Sequence, residues 1–306
     1  MSFDELSFVT WLRDRTSHAK PSVIGDDMAV VKVAGATALF SSDMLLDGRH
    51  FDTREHAYDA IGKKAVNCCL SDCAAVAARP VAVTVSLALS VAMSEEQTKA
   101  LMDGALEAAG AFDVTLAGGD TTRWNAPLAI DVAVLAEPFP GIEPVTRSGA
   151  CPGDALYVTG PLGGSRRGRH LSFTPRIREA HTLAQWLTAD LHAMIDVTDG
   201  LSLDLWRVCE ASGVGASLDA ALLDGVTSED ARSMSASDGM TPLEHVLTDG
   251  EDFELLLAVA DFGAAAARAE SAGVPLFRVG MVTEHGFTLI DRQGHAAPLE
   301  PRGFVH

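Results

Sequence analysis

The sequence predicts an α/β (α+β) protein of two domains, and three observations carry that prediction. Strand-like runs alternate with helical stretches in both halves of the chain. The length, 306 residues, is about that of two ordinary domains. Pro138, Pro140, Gly141 and Pro144 cluster near the middle and break the pattern. The expected division is therefore residues 1–140 and residues 141–306.

Met1 to Thr16 places Asp4, Glu5, Arg13 and Asp14 among apolar residues, and reads as a short amphipathic helix rather than a secretory leader. Residues 28–33 and 37–43 read as strands. Arg54 to Ala78 has helical spacing, with Pro80 as its stop. Asp72 falls inside it among Cys69, Cys73, Ala74 and Ala75, where an unpaired carboxylate is costly. Val81 to Ser90 alternates strictly. Val81, Val83, Val85, Leu87 and Leu89 share one face, and only small residues share the other, a surface fit to lie against another subunit's sheet. Ser94 to Gln97 is a capping box opening a helix to about Gly110. Val114–Ala117, ending in Gly118-Gly119-Asp120-Thr121-Thr122, and Leu128–Leu135 are strands.

In the second half, Ala155–Thr159, Ala193–Val197, Val214–Leu218 and Phe253–Val259 read as strands. Thr174-Pro175 has the chemistry of a helix start. A helix after Gly200 runs to Ser212 and stops at Gly213. Leu243–Leu247 and Gly263–Ala272 are helical, and Leu276–Ile290 forms a hairpin. Trp11, Trp124, Trp186 and Trp206 are expected as core or rim anchors, Trp124 alone near a site.

Hydrophobic residues make up 47% of the chain, enough for a sizeable core, and the formal net charge is -19. That acidity, without a basic stripe, excludes a nucleic-acid partner. No apolar run approaches the roughly 20 residues that span a membrane. Cys68, Cys69 and Cys73 share one helical stretch without paired zinc-ligand spacing and read as reduced core thiols of a cytoplasmic protein.

Acidic residues recur beside glycine or hydroxyl residues: Gly25-Asp26-Asp27, Ser41-Ser42-Asp43, Ser71-Asp72, Gly119-Asp120, Asp196 to Asp199, and Gly250-Glu251-Asp252. Carboxylates with hydroxyls are ligands for a hard cation such as Mg²⁺, which commonly brings phosphate. No P-loop, dinucleotide fingerprint, H-E-x-x-H or G-x-S-x-G occurs. The glycine-rich run from Gly160 to Ser165 lacks the lysine a P-loop needs. Phosphate handling must then rest on metal and on scattered loops.

Taken in order, these motifs resemble the thiamine-monophosphate kinase family, in the superfamily of aminoimidazole-ribonucleotide synthetase and selenophosphate synthetase. The carriers are Ile24 to Asp27, Ser41 to Phe51, Lys64 to Ala75, Gly118 to Arg123, Thr146 to Ala150 with Pro152 to Asp154, Ile195 to Leu201, and Gly250 to Leu255. The resemblance spans about Phe3 to the C-terminus. It implies transfer of the ATP γ-phosphoryl group to thiamine monophosphate. It also implies the family's two-domain fold, with the N-terminal sheet pairing across a homodimer.

By the same resemblance, Asp27, Ser41, Ser42, Asp43, Asp72, Asp120, Asp196 and Asp199 are implied Mg²⁺ ligands. Gly119, Asp120, Arg147 and Thr198 would contact ATP. His50, Glu251 and Phe304, in a C-terminal Gly-Phe-x-His, would hold the thiamine part. Asp43, Asp120 and Arg147 would carry the catalysis. The chain departs from the family in having Ser42 for Thr, Thr198 for Ser, Arg49 for a small or apolar residue, and a shortened stretch from Gly160 to Leu171 with Arg166, Arg167 and Arg169. The shortened basic stretch and Arg49 keep open the alternative of another ATP-dependent enzyme of the superfamily with a different phosphate or carboxylate substrate. The other alternative, a non-catalytic nucleotide-binding dimer, predicts lost acids, although every proposed metal position keeps an oxygen ligand.

Overall fold

The computed structural model describes residues 5–16, 25–260 and 265–304. Ile24, His306, Met1 to Asp4 and the start of the last predicted helix, all named above, lie outside them. The first half forms α1 (Glu5–Thr16), β1 (Ala29–Val33), β2 (Ala36–Leu46), α2 (Tyr58–Ala75), β3 (Ala78–Ser90), α3 (Glu95–Gly110), β4 (Thr115–Trp124) and β5 (Ala129–Pro138). The second half opens with β6 (Ala155–Val158), α4 (Arg169–Ser172), α5 (Ile177–Leu187), β7 (Leu191–Asp196), α6 (Leu201–Ser212) and β8 (Gly215–Asp219). It continues with α7 (Ala220–Val226), α8 (Glu229–Asp238), α9 (Pro242–Thr248), β9 (Leu255–Val259), α10 (Ala265–Ser271), β10 (Phe277–Thr283), β11 (Phe287–Ile290) and β12 (Ala296–Pro298).

The first half folds into a five-stranded sheet of order β1-β2-β5-β3-β4, the second into a seven-stranded sheet of order β12-β11-β8-β10-β6-β9-β7. Helix α2 joins them. It packs on β2, β3 and β5, and also touches α5 and β7. Its small side chains permit burial on nearly every side, with Ile61, Ala65, Val66, Cys69, Leu70 and Cys73 all interior. One continuous core therefore runs from β2 and α3 through α2 to α5 and β9. A second core fills the space between the seven-stranded sheet and α6, α7 and α9.

Several predicted elements shift. Pro80 lies inside β3, not at a helix stop, and tolerates that place because the pairing with β5 slips register between Pro80 and Ala82. β4 does not end before its glycines. It continues parallel to β3 to Trp124, because Gly119 lets the strands close: a Cβ there would lie 1.8 Å from the Val85 carbonyl oxygen. The predicted hairpin at Leu276–Ile290 is absent. β8 lies between β10 and β11, antiparallel to the first and parallel to the second. The link between them rounds the start of β8 at Gly215, where a Cβ would meet the Gly286 oxygen at 2.1 Å. α7 and α8 had no counterpart in the sequence reading.

The alternation in β3 holds: Val83, Val85, Leu87 and Leu89 are buried, and their small neighbours face outward. Among the described residues, no helix covers that outward face of the five-stranded sheet. Phe40, Met44, Leu46, Trp124 and Leu135 are exposed on its strands.

Candidate active site

A cleft of about 960 Å³ lies where the two halves meet. Asp27, Ser41, Ser42, Asp43, His50, Asp72, Arg147, Asp196, Thr198, Asp199, Glu251 and Phe304 all border it. They come from places far apart in the chain, and the fold explains how each arrives. Ser41 and Asp43 share the inner side of the β2 alternation with the buried Leu39 and Leu45. Asp72 projects from the last turn of α2. Asp196 ends β7, and Thr198 and Asp199 form the turn into α6. Gly119 and Asp120 do not border this cleft. β4 pairs Asp120 with Ser86, so it stands on the open face of the sheet, in one row with Met44, Asp131 and Ser86. Trp11 and Trp206 border the cleft, whereas Trp124 does not; Trp11, Trp124 and Trp186 are half-exposed, not core anchors.

The acids crowd one another. Carboxylate oxygens of Asp43 and Asp72 and the thiol of Cys69 lie within 4.8 Å of one another. Burial, then Asp43, Asp196 and Asp27, push Asp72 well above the ordinary carboxylate range. Burial and Asp27 do the same to Asp196, opposed by the Ser71 hydroxyl, which donates to it. Asp26 is pushed up to about 6, by burial first and Asp27 second. Two carboxylates about 4 Å apart repel by roughly 4 kcal/mol at an effective dielectric of 20. Asp27 Oδ1 accepts from Arg147 Nη2 at 2.5 Å, but its buried Oδ2 has no hydrogen-bond partner. An orphaned acceptor among repelling acids is a place for a cation.

Residues 25–137 match AIR synthase related protein, N-terminal domain, and residues 159–292 match AIR synthase related protein, C-terminal domain. The chain is 41% identical to the thiamine-monophosphate kinase of Rhodopirellula baltica, with 99% of this chain and 97% of that protein aligned. This chain belongs to the thiamine-monophosphate kinase family. It is 32% identical to the Escherichia coli K12 thiamine-monophosphate kinase over 100% of this chain and 99% of that one. The solved structure of AaThiL complexed with AMPPCP and TMP superposes with a TM-score of 0.84 at 26% identity, covering 99% of this chain and 98% of that chain.

Within this family member, several residues outside the acidic motifs hold the cleft together. Lys64, in the Lys64–Ala75 motif, is one of them. Its ammonium is fully buried, donating to the His50 carbonyl at 2.7 Å and to Glu251 Oε1 at 2.5 Å. Arg207 bridges Asp199 and Asp204, each at 2.6 Å. Buried Asp204 in turn accepts the backbone N–H groups of Thr198 and Asp199, both at 3.0 Å, and so fixes the turn that presents them. A charged residue on an apolar helix face was the available signal in each case.

The glycine-rich run from Gly160 to Ser165 serves as a brace. Asp252 accepts the Gly163 N–H at 2.9 Å, Asp249 accepts the Gly164 N–H at 2.7 Å, and Ser165 donates to the Gly250 carbonyl. The shortened basic stretch is mostly neutralised from within: Arg169 pairs with Asp252 at 2.6 Å and Arg167 with Asp230 at 3.6 Å. Arg166 lies 4.0 Å from Glu251 and 4.8 Å over the Phe304 ring, two residues that border the cleft, with Arg49 at 4.2 Å over the same ring. Phe304 is held by its N–H on the Asp199 carbonyl at 2.8 Å.

Proposed function

We propose that this chain phosphorylates thiamine monophosphate with ATP, giving thiamine diphosphate and ADP. The observation that carries the reading is the gathering of Asp27, Asp43, Asp72, Asp196 and Asp199 into one cleft, in a chain of this family. AaThiL, the structural relative, was solved with AMPPCP, a non-cleavable analogue of ATP, together with TMP.

The chemistry asks little of a base. The acceptor phosphate has a second pKa of about 6 and is largely dianionic at neutral pH. An oxygen of that phosphate attacks the γ-phosphorus, the bond to the β,γ-bridging oxygen breaks, and ADP leaves. What the protein must do is hold two anions in line. Asp27, Ser41, Asp43, Asp72, Asp196 and Asp199 are the proposed Mg²⁺ ligands, and the orphaned Asp27 Oδ2 fits that role. Ser42 would contribute through its backbone, because its side chain alternates to the open face with Met44. Bound there, Mg²⁺ supplies the positive charge that lets the two phosphates approach.

Arg147 adds a fixed cation. Its Nη2 is anchored on Asp27, while its buried Nε lacks a hydrogen-bond partner and can donate to a phosphate oxygen. Thr198 is the proposed hydroxyl contact to ATP. His50, Glu251 and Phe304 are the proposed thiamine end, with Arg49 and Arg166 backing the Phe304 ring.

The open sheet face supports a homodimer. Phe40, Met44, Leu46, Leu135 and Trp124 leave an apolar surface beside small residues, of the kind a second copy covers. A second copy seated there is also the way Gly119 and Asp120 come to serve an active site, the neighbour's and not their own. The proposed location is the cytoplasm, where ATP is abundant and the buried thiols stay reduced. No helix among the described residues is long and apolar enough to cross a membrane.

The direct test mixes purified protein with Mg²⁺, ATP and thiamine monophosphate, and follows thiamine diphosphate and ADP together. Equal amounts of both are expected. ATP bound or hydrolysed with no thiamine diphosphate formed would overturn the proposal.

A further inference from the structure

Away from the cleft, the segment before β6 and the start of β7 bring Cys151, Asp154 and His192 together, their ligating atoms within 4.8 Å of one another. Asp154 is 3% exposed. Its carboxylate accepts the Cys151 N–H at 2.7 Å and meets His192 Nδ1 at 2.9 Å. His192 sits where β7 slips register against β9: Leu191 pairs with Val259 and Ala193 with Ala258, so His192 has no opposite residue. A bulge of this kind re-aims the side chain of the extra residue, here toward Asp154.

The Thr146 carbonyl accepts the Met194 N–H at 3.1 Å, which fastens the two segments to each other, while the Gly149 and Ala150 N–H groups donate to Ser212 Oγ at the end of α6 at 3.1 and 3.2 Å. A Cβ at Gly149 would stand 2.6 Å from the His192 carbonyl oxygen. Cys151 is exposed, whereas Cys68, Cys69, Cys73 and Cys209 are buried.

We propose that Cys151, Asp154 and His192 form a second cation site, of the zinc class, with a fourth position left for water. A thiolate, an imidazole and a carboxylate together suit Zn²⁺, whereas the all-oxygen cleft suits Mg²⁺, so donor chemistry sorts the two cations. Zinc bonds of about 2.0–2.3 Å place ligand atoms about 3.5 Å apart. Asp154 and His192 already stand closer than that, and the Cys151 thiol, which donates to the Gly149 carbonyl at 3.4 Å, must give up that bond and turn to complete the set. Binding releases the Cys151 thiol proton. His192 Nδ1 gives up its hydrogen bond to Asp154 for the metal, and the ring proton resides on Nε2. A cation here staples the 146–154 segment to β7, the strand that ends at Asp196 in the cleft.

Co²⁺ titration in saturating Mg²⁺ tests this, because a thiolate ligand gives Co²⁺ an intense sulfur-to-metal absorption band. One such Co²⁺ per chain is expected, displaced by Zn²⁺, with Zn²⁺ raising the melting temperature. Cys151→Ser should abolish the band, and His192→Gln should weaken Co²⁺ binding at least ten-fold. Both variants should keep wild-type kinase turnover without added zinc, which separates this site from the Mg²⁺ cleft. Absence of the band, or a band that survives Cys151→Ser and disappears in Cys69→Ser, would overturn the proposal.

Discussion

Lys64 Nζ meets Glu251 Oε1 at 2.5 Å across 187 residues of chain, and the Lys64 side chain has no exposure at all. This pair ties the helix that carries Asp72 to the loop that carries Glu251. It forms because α2 buries on all sides, so a lysine at that position must find an anion and a carbonyl. Lys64→Met leaves Glu251, itself only 13% exposed, without its main partner. Breaking such a buried pair costs about 3–5 kcal/mol. Denaturant unfolding should show that loss, and Lys64→Met combined with Glu251→Gln should recover part of it. A single variant as stable as the parent contradicts the pairing.

The metal-free protein should lose stability as pH rises. Asp26 titrates at about 6 in the folded chain against 3.8 for the ordinary group. The folded state therefore holds this proton more tightly than the unfolded state does. The contribution is fully present below pH ~4 and is lost as pH climbs through ~6, amounting to at most about 3 kcal/mol. The upward shifts of Asp72 and Asp196 act in the same direction. Chemical denaturation in EDTA from about pH 4.5 to 7.5 should fall more steeply for the parent than for Asp26→Asn. Equal slopes contradict the assignment.

Arg49 should matter to the acceptor and not to ATP. Its guanidinium carbon lies 4.2 Å over the Phe304 ring, and Arg166 lies at 4.8 Å over the same ring. Such stacking contributes about 0.5–2 kcal/mol, or roughly two- to thirty-fold. Arg49→Ala should raise KM for thiamine monophosphate within that range and leave KM for ATP nearly unchanged. Equal rises in both constants contradict the placement of the pair at the thiamine end.

Asp120 and Asp43 stand on opposite faces of one sheet, which gives a complementation test. Asp43→Asn and Asp120→Asn should each be inactive alone. If each active site takes Asp43 from one chain and Asp120 from the other, subunit exchange leaves one intact site in every mixed dimer. Random mixing then restores about a quarter of parent activity, since half the dimers are mixed and half their sites are whole. No recovery after proven exchange contradicts the shared site.

Most of the cleft could be read from sequence because its acids sit in short local motifs, each beside glycine or hydroxyl residues. Asp120 shows where that reading stops. Its motif is as clear as that of Asp43, yet which face of the sheet it occupies depends on β4 extending past Gly119 and pairing with β3. Lys64 is held across 187 residues of chain, so local spacing gave no role for it. Asp204 and Arg207, by contrast, pair with each other three residues apart in α6 and with the turn just before it, and lack only the glycine or hydroxyl neighbour that marks the other motifs. The β10 and β11 arrangement was misread for a related reason: a short link signals a hairpin, and only tertiary pairing inserts β8 between the strands.

The most direct test of the acidic cleft is Mn²⁺ binding, measured by electron paramagnetic resonance in the presence of AMPPCP, for the parent, Asp43→Asn and Asp72→Asn. Each substitution should weaken cation binding by roughly ten-fold or more while the protein stays folded. Unchanged Mn²⁺ affinity in both folded variants would contradict a shared metal-holding site.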